Sequence, residues 1–275
     1  MSKDLEFQNQ TFFKKLNSML KVDFKRMFCS PFVYIMLGVA FIIPILVLVM
    51  TSMMGDTMVD QVTGAIKEVE KFTNVWQTIG SVSGGTTSST SAEAMAGGMS
   101  LVSMCNINMM YFIASVLVCV FISDDFRSGY AKNLFTIRSK KSDYVVSKTI
   151  VCFVCSVGML IAYFVGALLG GVFSSLSFTL EVSVFELVMC LLSKMALMLV
   201  FVSIFVVASV FAKQRLWLSI ICSLGVGMLL FMMIPLITPL NSGLINVILC
   251  TIGGLGFGFG MGAVSNKILQ RTSIL

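Results

Sequence analysis

The chain has 275 residues, 57% of them hydrophobic and only 12% charged, with a mean hydropathy of +0.97 and a formal net charge of +6. That composition excludes a soluble globular domain, in which about a quarter of residues are charged. The sequence contains no histidine, which removes the commonest general base and metal ligand and leaves little room for an intramembrane enzyme.

The reading is an all-α polytopic membrane protein. A spanning helix needs about 20 mostly apolar residues, because only an intra-segment hydrogen-bond ladder satisfies the backbone in hydrocarbon. Six stretches qualify, at about 32–54, 100–123, 149–173, 187–211, 216–238 and 244–265. Sixteen of the 19 Lys and Arg residues precede the first span, lie in the even-numbered gaps, or end the chain. By the positive-inside rule this predicts both termini in the cytoplasm of a cell-membrane protein. The basic excess is thereby assigned to topology and to anionic headgroups of the lipid bilayer, with no nucleic-acid partner expected. The first apolar run is too long for the core of a signal peptide and is expected to persist as an anchor.

In chain order, residues 11–29 place Phe13, Leu16, Leu20, Phe24 and Met27 at spacings of three and four, with Lys14, Ser18, Lys21 and Lys25 opposite. This predicts an amphipathic interfacial helix, its apolar side in the acyl boundary. Pro44 is expected to kink the first span. In the long outer loop, 55–99, the residues Val62, Ile66, Val69, Phe72, Trp76 and Ile79 stand at helical spacing and predict a second amphipathic helix, followed by a Gly/Ser/Thr linker. The loop as a whole is expected to be a structural cap, with recruitment of a substrate as the alternative.

The most informative polar stretch is 124–148, DDFRSGYAKNLFTIRSKKSDYVVSK. Asp124 and Asp125 are adjacent, so on a helix they point about 100 degrees apart and cannot share one acid/base site. Tyr130 to Ile137 reads as a short helix whose apolar edge, Leu134 and Phe135, suits a cytoplasmic groove. Further on, Gly166 and Gly170 form a small-xxx-small pair, and Gly254, Gly258 and Gly262 line one face of the last span, both patterns that allow close helix packing. Lys194 lies about two turns inside the fourth span. Snorkelling to the outer surface is the expected solution, and a place in a substrate path is the alternative. Pro235 and Pro239 are expected to break the fifth span near its outer end.

The eight cysteines read as small core residues, and Cys152-x-x-Cys155 lacks the second pair that a metal site requires, so no metal is expected. The glycines of span six fail as a dinucleotide loop, because no strand precedes them, and the chain has no P-loop motif.

With these elements in hand, the chain resembles the permease subunits of ABC-2 type transporters. The resemblance runs over nearly its whole length, and its most specific part is the loop after span two: an acid at the span end (Asp124 or Asp125), Ser128-Gly129, the core Lys132-Asn133-Leu134, the pair Lys140-Lys141, and Lys148 opening span three. Two positions depart from the pattern. The acid is Asp where Glu is more usual, and Arg138 stands near the place of a frequent proline. The resemblance implies a half-transporter that pairs with an identical or homologous permease. It also implies two cytosolic ATPase subunits docked on a coupling helix containing Asp124, Asp125, Gly129, Lys132, Asn133, Leu134 and Phe135. ATP and Mg would belong to those partners, with no cofactor bound by this chain. Export of an apolar or amphipathic cargo, such as an antimicrobial peptide or a drug, is the function so implied. A secondary transporter or a non-ABC membrane assembly protein is the alternative. The first of these would usually show an internal repeat with paired broken helices and charged midplane residues; no such repeat is found, and Lys194 has no evident counterpart.

Overall fold

The computed structural model describes residues 2–53, 57–59, 66–68, 72–80, 105–137, 141–180, 182–231 and 233–271. Its α-helices among the described residues are α1 (Ser2–Cys29), α2 (Pro31–Met53), α3 (Met109–Arg127), α4 (Tyr130–Ile137), α5 (Lys141–Phe173), α6 (Val184–Ala212), α7 (Leu216–Phe231), α8 (Ile234–Ile237) and α9 (Leu244–Arg271). Among the described residues, α2, α3, α5, α6 and α9 are long and apolar enough to cross a membrane. The fifth expected span, 216–238, is divided near its outer end, where the sequence placed a break. α7 has 16 residues, about 24 Å at 1.5 Å per residue, short of the roughly 30 Å hydrocarbon layer. Beyond it, Pro235 sits in the first turn of the four-residue α8, where its missing N–H and fixed φ begin a helix but cannot continue one.

Helix α5 is the centre of the bundle, packed against α1, α2, α3, α6 and α9. Its first two turns extend past the apolar run that sequence placed at 149–173, since 33 residues reach about 50 Å. Gly166 and Gly170 bring it against α2: a Cβ at Gly166 would stand 2.2 Å from the Phe41 carbonyl oxygen, and one at Gly170 would stand 2.9 Å from Ile45 Cα. The matching face of α2 is Val33, Met36, Ala40, Pro44, Leu48 and Thr51, all buried. The glycines of α9 divide. Gly254 approaches the Ala196 carbonyl of α6, Gly258 has ordinary contacts with Ser203 and Leu199, and Gly262 faces open space.

The two ends of the bundle differ. One carries α1, the α3–α5 connection and the end of α9, and is called the basic end here. The other is covered by the segment before α3. The amphipathic helix expected around Ile66 to Ile79 is not what forms. Ile66–Glu68 is a strand (β2) paired antiparallel with Thr57–Val59 (β1), and a one-turn 3-10 helix occupies Val75–Thr78; Val62 and Val69 lie outside the described residues, as does the Gly/Ser/Thr linker. Tertiary hydrogen bonds replace the helical ladder. Val75 N–H donates to the Ser177 carbonyl, Ile107 N–H donates to that of Thr78, and the Asn74 side chain caps the 3-10 turn. Phe72, Val75 and Ile79 are thereby driven into the end of the bundle. They form a cap.

Candidate coupling site at the basic end

α1 presents Leu16, Met19, Asp23 and Met27 to the protein, spaced by three and four residues and all buried. Their partner is the beginning of α5, together with α2. The amphipathic character predicted for 11–29 therefore serves packing on protein along this stripe, while Lys14, Lys21 and Lys25 remain exposed. Asp23 is the exception on that stripe, a carboxylate with no solvent exposure.

It is held by α5. Lys148 Nζ donates to Asp23 Oδ1 at 2.9 Å, and Ser147 Oγ donates to Asp23 Oδ2 at 2.6 Å. The same ammonium pairs with Asp125 Oδ2 of α3 at 2.6 Å, and Tyr144 Oη donates to that oxygen at 3.0 Å. Arg26, one turn beyond Asp23, forms an ion pair with Asp125 Oδ1 at 2.8 Å and lies 3.8 Å over the Tyr130 ring at the start of α4. Burial opposes the Arg26 charge, but Asp125 beside it, with Tyr130, outweighs burial and raises the guanidinium pKa above its ordinary value. The Phe121 ring lies 4.1 Å from the Lys148 ammonium. Two carboxylates and two cations thus close a neutral cluster that joins α1, α3, α4 and α5. Such a cluster is tolerable in a dry site only because each charge has several partners.

The turn between α3 and α4 is shaped by Gly129, at φ +75, a region glycine enters without a Cβ penalty. Asp124 is exposed and outside the cluster, its carbonyl accepting the Ser128 N–H; the two adjacent acids have separate surroundings. On α4, Leu134 and Phe135 are half-buried against the bundle, and Phe135 stands edge-on to Tyr144 at 5.3 Å. The edge expected to meet a partner groove thus also has contacts within this chain. Lys132, Asn133 and Thr136 form the exposed edge. Lys141 Nζ donates to the Leu269 carbonyl at 2.8 Å, so the connection is also fastened to the last turn of α9, where a cation complements the helix dipole. Arg138 and Lys140 lie outside the described residues.

Sequence reasoning named Asp125 and Lys148 but missed Asp23, Arg26, Tyr144 and Ser147. A signal for Asp23 was present: it is the acid within a run of lysines, and it stands four residues from both Met19 and Met27.

Lys194 does not snorkel. It is buried in α6, where Nζ donates to Asn108 Oδ1 at 2.8 Å and to Thr238 Oγ1 at 3.0 Å. Tyr111 Oη donates to the Lys194 carbonyl at 2.8 Å.

The sequence profile described as "ABC-2 family transporter protein" matches residues 19–233. The matched region contains every member of the charged cluster, and the chain belongs to the ABC-2 transporter family. It is a multi-pass membrane component of a transport system, in a family whose members associate with a cytosolic ATPase. Searches of curated proteins and of solved structures found no match.

Proposed function

We propose that this chain is the permease half of an ATP-driven exporter, with its basic end in the cytoplasm and α4 as the element that meets the ATPase. The observation that carries the reading is the charged cluster. It makes α1, the end of α3, the start of α4 and the start of α5 one mechanical unit, so a push on α4 reaches three elements at once. Lys141 extends that unit to α9. Docking is assigned to the exposed edge Lys132, Asn133 and Thr136, while Leu134 and Phe135 anchor α4 to the bundle and pass its movement on. A second permease, identical or homologous, completes the path.

The cargo is apolar or amphipathic, of the peptide or drug class, and enters sideways from the bilayer. An apolar crevice of about 480 Å³ between α5, α6 and α9, bordered by Phe153, Val154, Leu192, Leu199, Val247 and Leu255, supports that entry. Gentle purification of the tagged chain from its native membrane tests the reading. An ATPase with a P-loop should accompany the wild type and be lost from Lys132→Glu, in a variant whose thermal unfolding is unchanged. Recovery of the chain alone, together with gradient-driven flux by the reconstituted chain, would instead establish a secondary carrier.

A further inference from the structure

Two lysines are buried among the described residues, and the chain treats them in opposite ways. Lys148 is neutralised by two carboxylates. No carboxylate among the described residues lies within ion-pair distance of Lys194; its partners are the neutral oxygens of Asn108 and Thr238, and the thiols of Cys190 and Cys250 border it. An ammonium at that depth is costly without a counter-charge. The neutral groups around it are oriented as acceptors. The Thr238 hydroxyl spends its proton on the Ile234 carbonyl at 2.8 Å, leaving lone pairs for Lys194.

Both acceptors hang from the cap. Ile107, the residue before Asn108, donates its N–H to Thr78 of the cap at 2.8 Å. Leu240, two residues after Thr238, is packed with Ile79, Leu187 and Cys190, and a Cβ on Gly80 would meet its backbone nitrogen at 3.6 Å. Movement of residues 72–80 away from the bundle therefore pulls on both oxygens that hold the ammonium. What is then uncovered is a cation with no anion of its own.

We propose that Lys194, with Asn108 and Thr238, is an anion-recognition site for the cargo, which bears a carboxylate or phosphate group on an apolar body. In the closed form seen here Asn108 and Thr238 occupy the place of the anion, and the cap seals it. The cargo assignment rests on the export reading above; recognition of an anion does not.

The purified chain in phosphatidylcholine nanodiscs is titrated with dodecyl phosphate, dodecanoate, dodecyl maltoside and dodecyltrimethylammonium, which share a tail and differ in head charge, and with inorganic phosphate. The two anionic amphiphiles are expected to bind about tenfold tighter than the neutral one, the size of a charge-assisted hydrogen bond. That preference should vanish in Lys194→Gln and persist in Lys194→Arg. Because Lys194→Gln also loses two internal bonds, Asn108→Asp serves as the second variant. It supplies a carboxylate to the ammonium within the chain, so it should fold with unchanged or higher Tm and still lose the anion preference. Inorganic phosphate binding with the same dependence on Lys194 would identify a free anion as the occupant. A preference abolished by adding phosphatidylglycerol to the nanodisc would identify a lipid headgroup. Equal binding of anionic and neutral amphiphiles by the wild type, or an anion preference intact in Lys194→Gln, overturns the proposal. These titrations contain no ATPase, so their failure alongside intact ATP-driven export refutes the anion site alone; binding without any ATPase-dependent export refutes the export reading alone.

Discussion

At the residue scale, Asp23, Asp125, Lys148 and Arg26 show how a membrane protein keeps charge in a dry place. Lys148 has no exposed surface and touches two carboxylates, so removing it leaves both acids buried with their main counter-charge gone. Lys148→Met is expected to destabilise the fold by about 3–5 kcal/mol. The combination Asp23→Asn, Asp125→Asn and Lys148→Met removes the three fully buried charges, leaving only Arg26, whose side chain is 33% exposed to water, and should lose much less. Thermal unfolding of the two proteins in detergent checks this order. A larger loss in the triple variant would show that the cluster stabilises through hydrogen bonds rather than through charge balance. Of the cluster, Asp125 and Lys148 were visible in the sequence, because they sit at a recognisable span boundary. Asp23 was not read as a site residue, since a helix periodicity records which face is buried and says nothing about which distant residue waits there.

At the element scale, α4 and the glycine contacts of α5 make opposite demands. The exposed edge of α4 is free for a partner, whereas Leu134 and Phe135 already have one in the bundle. Leu134→Asp is therefore expected to lower Tm as well as transport, while Lys132→Glu should reduce ATPase recovery with Tm unchanged; co-purification paired with a melting curve separates the two effects. If Lys132→Glu retained the ATPase fully, the docking edge would be misassigned. Gly166 stands where a Cβ would meet the Phe41 carbonyl at 2.2 Å, so α5 and α2 must separate to accept any side chain. Gly166→Leu should cost at least the 1–3 kcal/mol of an overpacked core, and Gly262→Leu, which meets nothing within 4 Å, should be close to neutral by the same denaturation assay. The small-xxx-small spacing was legible on both helices. It could not tell Gly166 from Gly262, because packing depends on whether a neighbour is present.

At the scale of the whole molecule, the proposed orientation, with the basic end in the cytoplasm and the cap outside, makes a labelling prediction. With Thr73→Cys on the cap, a membrane-impermeant maleimide should label intact cells, whereas Cys29, exposed at the end of α1, should react only in inverted vesicles. The reverse pattern would overturn the orientation. Hydrophobicity and the distribution of Lys and Arg determined by themselves that this is a multi-pass helical membrane protein, and the pattern after the second span determined its ABC-2 family. Those properties are local: they follow from the solvation of each segment and from the order of residues along it. The tertiary structure decided the rest. It turned the expected outer helix into strands and a capping 3-10 turn, brought Asp23 to Lys148 across 125 positions of chain, and buried Lys194 between Asn108 and Thr238. Each is a contact between segments far apart in sequence, whose free energy exists only once the bundle has closed around it.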